Sequence, residues 1–216
     1  GTTLAECKKL GIPSVGIEAN PMAHFACQVK VDWAPDPAGL LEHATQIARL
    51  AEAEIEHWQG ARLTLPDETL KLLLANSISP LPLHKTLVLL QQLNQHPDDR
   101  YSRHEKLALA KALVTVISNL QFGPEVGVGT AKIDAPVVQH WLAAVEAIAH
   151  DLGRLQSLPA VSAIAYHADS RQIATVLEPG SIDAVITSPP YPNEKDYTRT
   201  TRLEMVLLGF IHTKAD

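Results

Sequence analysis

Thr187-Ser188-Pro189-Pro190-Tyr191 follows directly on the apolar run from Ile182 to Ile186. A β-branched run flanked by Gly180 and a Pro-Pro pair predicts a buried strand that stops abruptly. Two prolines remove two backbone N–H donors and fix φ, so the chain leaves such a strand rigidly and with bare carbonyls. A hydroxyl, a donor-free backbone and an aromatic ring at a strand end suit one task. They can hold a planar group that carries an NH2. An exocyclic amine is a poor nucleophile because its lone pair is delocalised into the ring. Acceptors for both amine hydrogens, here Ser188 Oγ and the Pro189 carbonyl, favour pyramidalisation and localise that lone pair. Tyr191 supplies a face for a planar ring to stack on.

The motif resembles the (Asp/Asn/Ser)-Pro-Pro-(Tyr/Phe) motif of amino-methyltransferases, and with Thr187 and Ser188 at its head it is most similar to the DNA N4-cytosine and N6-adenine methyltransferases. The resemblance implies S-adenosylmethionine as cofactor and DNA as partner. It also implies direct in-line methyl transfer to a base taken out of the stack, with Ser188, Pro189, Pro190 and Tyr191 as the catalytic residues. Ser at the motif's head favours N4 of cytosine over N6 of adenine. No Pro-Cys nucleophile of the C5-cytosine type occurs.

Two further pieces carry the resemblance. Gly1-Thr2-Thr3 resembles the tail of the family's Asp-Pro-Phe-x-Gly-x-Gly-Thr-Thr turn, and Thr3 to Leu10 reads as a helix with Gly11 as its stop. Val15 to Ile17 then reads as a short strand ending at an acid. In nucleotide-type α/β folds such an acid binds ribose hydroxyls, which gives Glu18 that role, with Ala19 and Asn20 beside it. Val161 to Ser170 reads as a strand and a polar turn. The family places there an Asp that accepts from the cofactor's adenine amine, which assigns Asp169 and Ser170. Asp169 and Ser170 are equally good N-caps for a helix starting near Arg171, and both readings can hold together. Gly1, Thr2 and Thr3 complete the expected cofactor set.

After the motif, Asp196-Tyr197-Thr198-Arg199 precedes a helix with an apolar face from Leu203 to Leu208. The pattern resembles a subset of bacterial and archaeal site-specific DNA methylases. Asp196, Tyr197 and Arg199 line the target-base pocket or bind a phosphate, with Arg199 the more natural phosphate partner, or they belong to an ordinary capped helix with a solvated basic face.

The elements that must position these residues are expected to form an α/β fold. The resemblance implies a Rossmann-like class I methyltransferase sheet, expected to be incomplete at both ends, with a large helical insertion. Residues 1–35 form its cofactor side, 36–157 the insertion and 158–216 the catalytic part. The insertion follows from spacing: Glu18 and Asp169 are separated by far more than a βαβ crossover of roughly 30 residues. Within it, residues 38–59 place Leu41, Ala44, Ala48, Ala51, Ile55 and Trp58 on one stripe. Asp67 is expected to cap a run to Asn76, and Pro82 to open a helix through Leu93. Asp98 or Asp99 is expected to cap a helix through Leu120 that ends at Gly123-Pro124. Val137 to Leu155 follows with Trp141, Val145, Ile148 and Leu152 on one face. The glycine-punctuated stretch Phe122 to Thr130 is either a connector or a loop over the site. Target recognition, a lid and oligomerisation are open roles for the whole insertion.

The chain has 216 residues, nearly half of them apolar, and a net charge of −6. No run approaches a membrane span and no signal peptide is apparent, so a cytoplasmic protein is expected. Cys7 and Cys27 are isolated and expected as reduced thiols. His24 and Cys27 share a helical face, but two ligands alone make no zinc site, and no metal is expected. The acidic balance argues against a broad nucleic-acid face, so either the DNA surface is narrow or the main recognition element lies outside these residues. A cognate restriction endonuclease is a further implied partner. The rival readings are methylation of RNA or of a protein amide, and a non-catalytic binding module with the same fold.

Overall fold

The computed structural model describes residues 1–123, 125–187 and 197–213. In chain order its elements are α1 (Thr2–Lys9), β1 (Ser14–Glu18), α2 (Pro21–Val31), α3 (Pro37–Glu56), α4 (Asp67–Leu70) and α5 (Pro80–Gln95). There follow α6 (Ser102–Ala112), continued by a π-helical turn at Leu113–Ile117, then β2 (Leu120–Phe122), β3 (Val126–Val128) and α7 (Val137–Leu155). Last come β4 (Ala163–His167), 3-10 turns at Ser170–Thr175 and Tyr197–Thr200, and α8 (Arg202–Leu207). The chain is mixed α/β, with a small parallel sheet and much helix. No helix among the described residues is long and apolar enough to cross a membrane.

The chain divides into two compact units. One comprises the described residues of Gly1–Trp33 and Leu155–Thr200, the other those of Ala34–Arg154 and Thr201–Asp216. In the first unit β1 and β4 pair in parallel, with Ser14 opposite Ala163 and Glu18 opposite His167. Two helices cover one face of this pair, where Leu4, Cys27, Val31 and Ala165 form a small core. Gly16 lets α1 come close, because a Cβ there would lie 2.8 Å from Leu4 Cδ1. Gly11 ends α1 at a φ of +72°, the left-handed conformation glycine adopts at no steric cost. Lys8 fixes α1 to α2 by donating from Nζ to the Val31 carbonyl at 2.6 Å and lying 4.5 Å from the Trp33 ring centre. Gln156 Nε2 donates to the Trp33 carbonyl at 2.9 Å, so the two strand-bearing segments meet again where they leave the sheet.

The helical unit has the larger core. Leu40, Ala44, Ile47, Ala48 and Ala51 of α3, Val88, Leu89 and Leu93 of α5, and Trp141, Val145 and Leu152 of α7 are buried. The buried stripe of α3 thus runs through Leu40 and Ile47, with Leu41, Ile55 and Trp58 only half-buried. Both α3 and α5 begin at a proline, at Pro37 and Pro80, where the missing N–H costs nothing. Helix α5 therefore starts two residues before Pro82. Trp141 Nε1 donates to the Glu105 carbonyl at 2.9 Å, which joins α7 to α6.

Four expectations are corrected. The run from Asp67 to Asn76 is a single helical turn, α4, followed by tight turns in which Leu72 N–H bonds Thr69 O and Leu73 N–H bonds Leu70 O. Asn76 at a φ of +61° then redirects the chain. The helix expected from Asp98 through Leu120 begins only at Ser102, because Asp98 spends its acceptors on a turn: its carbonyl takes the N–H groups of Tyr101 and Ser102. That helix also stops early. Asn119 donates its N–H to Ser77 O and its side-chain amide to Asn76 O, and Lys132 Nζ takes the Val116 and Ser118 carbonyls. The freed residues form the β2–β3 hairpin, which accounts for the glycine-punctuated stretch. Finally, Ile182 to Ile186 is no buried strand. Val185 and Ile186 are 79% and 76% exposed, and the parallel sheet among the described residues holds β1 and β4 alone. A β-branched run becomes a strand only where an edge is offered to it.

Candidate functional site

In an open parallel sheet, ligands gather beyond the carboxyl ends of the strands, where loops diverge and helix N-termini converge. Here that edge is built from two turns, one after β1 and one after β4. The register sets Glu18 opposite His167, so Asp169 follows two residues past the end of the neighbouring strand. The turns are bonded to each other. The Ala168 N–H donates to the Glu18 carbonyl at 3.3 Å, and His167 Nε2 lies 3.0 Å from the Ala19 carbonyl.

Each turn also organises itself locally. Glu18 Oε1 accepts from the Asn20 N–H at 2.9 Å, and Asn20 Oδ1 accepts from the Ala23 N–H at 3.0 Å. Asn20 is thus the N-cap of α2, with Pro21 at its first position. The chain leaves β1 in one defined direction. Across the edge, Asp169 caps the 3-10 turn through its Oδ1, which accepts from the Arg171 N–H at 2.9 Å. The Arg171 guanidinium closes on the same carboxylate, with Nε 3.0 Å from Oδ1 and 2.9 Å from Oδ2. This hydrogen-bonded guanidinium holds the Asp169 carboxyl at about 2. Ser170 opens the turn beside it.

The chain is similar to a methyltransferase. The relative is the Type II methyltransferase M.BsoBI of Geobacillus stearothermophilus, 30% identical over 230 aligned residues that take in 97% of this chain and 45% of the relative. The chain therefore spans less than half the length of that relative. No protein-family model matches it, and no solved structure matches it significantly.

The structure brings Glu18, Ala19 and Asn20 together with Asp169 and Ser170 at one sheet edge. Gly1, Thr2 and Thr3 sit on the first turn of α1, with Gly1 as its N-cap, and Leu4 just beyond them packs on Gly16. A Cβ on Gly1 would lie 3.1 Å from Cys27 Sγ, so this helix start lies against α2. Ser188, Pro189, Pro190, Tyr191 and Asp196 lie outside the described residues. Tyr197 and Arg199 fall on the 3-10 turn Tyr197–Thr200, where Arg199 is exposed. Among the described residues no group of three or more His, Cys, Asp or Glu side chains is placed to hold a metal.

Two residues of this edge were not singled out as site residues. His24 and His167 stack with ring centres 5.0 Å apart and planes 20° from parallel. In the sequence they are two histidines among ten, and only the packing of α2 on β4 shows that they meet.

Proposed function

We propose that the chain is the cofactor-binding and catalytic part of an S-adenosylmethionine-dependent DNA methyltransferase that acts on an exocyclic base amine, N4 of cytosine ahead of N6 of adenine. The observation that carries this reading is the placement of Glu18 at the end of β1 and of Asp169 two residues past the end of β4, both at the carboxyl edge of two parallel strands. The relative named as a Type II methyltransferase supports it.

The residues fit the cofactor by chemical type. Its ribose offers hydroxyl donors and its adenine an amine donor, and the edge offers two carboxylates. Glu18 engages the Asn20 N–H through one oxygen, and a carboxylate of that kind retains acceptor capacity for hydroxyls. Asp169 is already ionised and aligned by its cap, so an adenine amine would compete there with Arg171. Ser170 sits beside it, and Gly1, Thr2 and Thr3 at the start of α1 complete the proposed cofactor set. When bound, S-adenosylmethionine supplies an electrophilic methyl on its sulfonium. Ser188 Oγ and the Pro189 carbonyl take the two amine hydrogens, Pro190 keeps the backbone rigid, and Tyr191 stacks on the extruded base. Asp196, Tyr197 and Arg199 frame the base, with Arg199 toward a phosphate.

In this reading residues 36–157 form a helical insertion in a Rossmann-like sheet, the protein is cytoplasmic, and a cognate restriction endonuclease is its partner. The net charge of −6 agrees with a narrow DNA contact on this chain.

The deciding experiment incubates the protein at its natural length with labelled S-adenosylmethionine and unmethylated genomic DNA, then digests the DNA to nucleosides and identifies the product by mass. N4-methylcytosine is the expected product. N6-methyladenine would keep the class and correct the base. Cofactor binding without label in DNA would move the reading to RNA or a protein amide.

A further inference from the structure

We propose that His167 and His24 form a clasp that sets the spacing between the two carboxylate-bearing turns, with both residues acting as positioning residues for cofactor binding. The proposal rests on the reading of Glu18 and Asp169 as cofactor acceptors and names side chains that nothing else assigns to that site.

The clasp follows from donor chemistry and strand register. A carbonyl oxygen only accepts, so a ring nitrogen bonded to one must carry the proton. His167 Nε2 lies 3.0 Å from the Ala19 carbonyl and His24 Nε2 lies 3.1 Å from the Ala165 carbonyl. Both rings are therefore protonated at Nε2. The Ala19 carbonyl sits in the turn immediately after Glu18, and His167 sits two residues before Asp169. One ring thus bridges the two turns from strand end to strand end.

The second ring holds the first in place. The Ser14 N–H bonds the Ser162 carbonyl and the Ala168 N–H bonds the Glu18 carbonyl, so the even-numbered residues of this stretch face β1. The Ala165 carbonyl points the other way, to the edge of β4 that pairs with no strand among the described residues. His24, from the first turns of α2, occupies that edge. It satisfies a carbonyl that a further strand would otherwise bond, and stacks on His167. His167 is itself exposed, so packing alone does not fix its orientation. The stack and the two carbonyl bonds do. Three pieces of backbone are locked together in this way: the turn after β1, the N-terminal part of α2 and the outer edge of β4.

The test measures S-adenosylmethionine binding by titration calorimetry on the full-length protein and on three variants, with thermal melting of each. His167→Phe keeps a ring for the stack and removes the donor. It should weaken binding about fivefold, the equivalent of one ordinary hydrogen bond, with a melting temperature close to wild type. His167→Gln, which restores an amide donor, should recover part of that loss. Glu18→Ala should lose binding further. Unchanged affinity in His167→Phe, alongside lost affinity in Glu18→Ala, would overturn the clasp and leave the proposed function standing. Wild-type affinity in Glu18→Ala as well, or no binding by the wild type, would overturn the cofactor reading itself and the clasp with it.

Discussion

The hydroxyl of Tyr101 fills the place where residue 39 would carry a side chain: a Cβ on Gly39 would lie 2.0 Å from Tyr101 Oη and 2.8 Å from its Cζ. Tyr101 is buried and flanked by the Arg100 guanidinium, 4.8 Å from its ring centre, and by the His43 ring at 6.0 Å. The ring has nowhere to go. Gly39→Ala is therefore expected to destabilise the helical unit by about 1–3 kcal/mol, as overpacking does. Thermal denaturation checks this, and the cost should shrink when Tyr101→Phe is added. An equal cost in both backgrounds would assign the effect to helix α3 itself.

Burial of Glu204 and Glu105 is expected to make stability fall as pH rises from about 4.5 toward 7. Glu204 on α8 is buried, Oε2 has no hydrogen-bond partner among the described residues, and burial pushes its carboxyl up to about 7. Burial likewise raises Glu105, against the opposing hydrogen bond from His43 Nδ1 at 2.6 Å. The folded state then holds protons that the unfolded chain has released. Stability is full below the ordinary carboxylate value near 4.5 and declines as pH rises toward about 7. Glu204→Gln should flatten that decline by about 3 kcal/mol. Denaturant melts at pH 4.5 and pH 8 measure it, and an undiminished slope in the variant would remove Glu204 as its source.

Arg171 competes with the proposed ligand. Its backbone N–H and Nε fill Asp169 Oδ1, and the guanidinium takes Oδ2 as well. Arg171→Ala keeps the backbone cap and frees the second oxygen. Cofactor affinity should rise severalfold and lose part of its salt dependence, since an exposed ion pair is screened by salt. Calorimetry at low and high salt tests this. Weaker binding in the variant would make Arg171 a ligand-binding group rather than a competitor.

The stacking role proposed for Tyr191 can be tested apart from cofactor binding. Tyr191→Ala is expected to abolish methylation of DNA while S-adenosylmethionine still binds. Parallel loss of cofactor binding in a folded variant would sink the stacking role.

Much of this architecture was readable from residue order alone, because local chemistry decides it. The Gly11 stop, the Asp169 cap and the apolar face of Val137 to Leu155 each depend on neighbours within a few residues, and each appears where expected. The misreadings have a common cause. At Asn119 a side chain makes bonds across the fold to Asn76, and these end a helix whose own periodicity would carry it further. The run from Ile182 to Ile186 needs a strand partner that its own composition does not specify. The two carboxylates of the candidate site were legible as acids after strands. The histidines at this edge were not, since their partners depend on how β1, β4 and α2 pack together.

The long excursion between β1 and β4 also shapes how the protein reaches its native state. Pairing these strands directly from an open chain means closing a very large loop, an entropic cost of about 4 kcal/mol beyond that of a minimal turn. Residues 34–154 carry their own core and can collapse first through contacts near in sequence. Once they have done so, and Gln156 has met Trp33, the two strands are held within reach of each other. On that route the candidate site is expected to assemble last, its acids meeting only after the helices have done the searching.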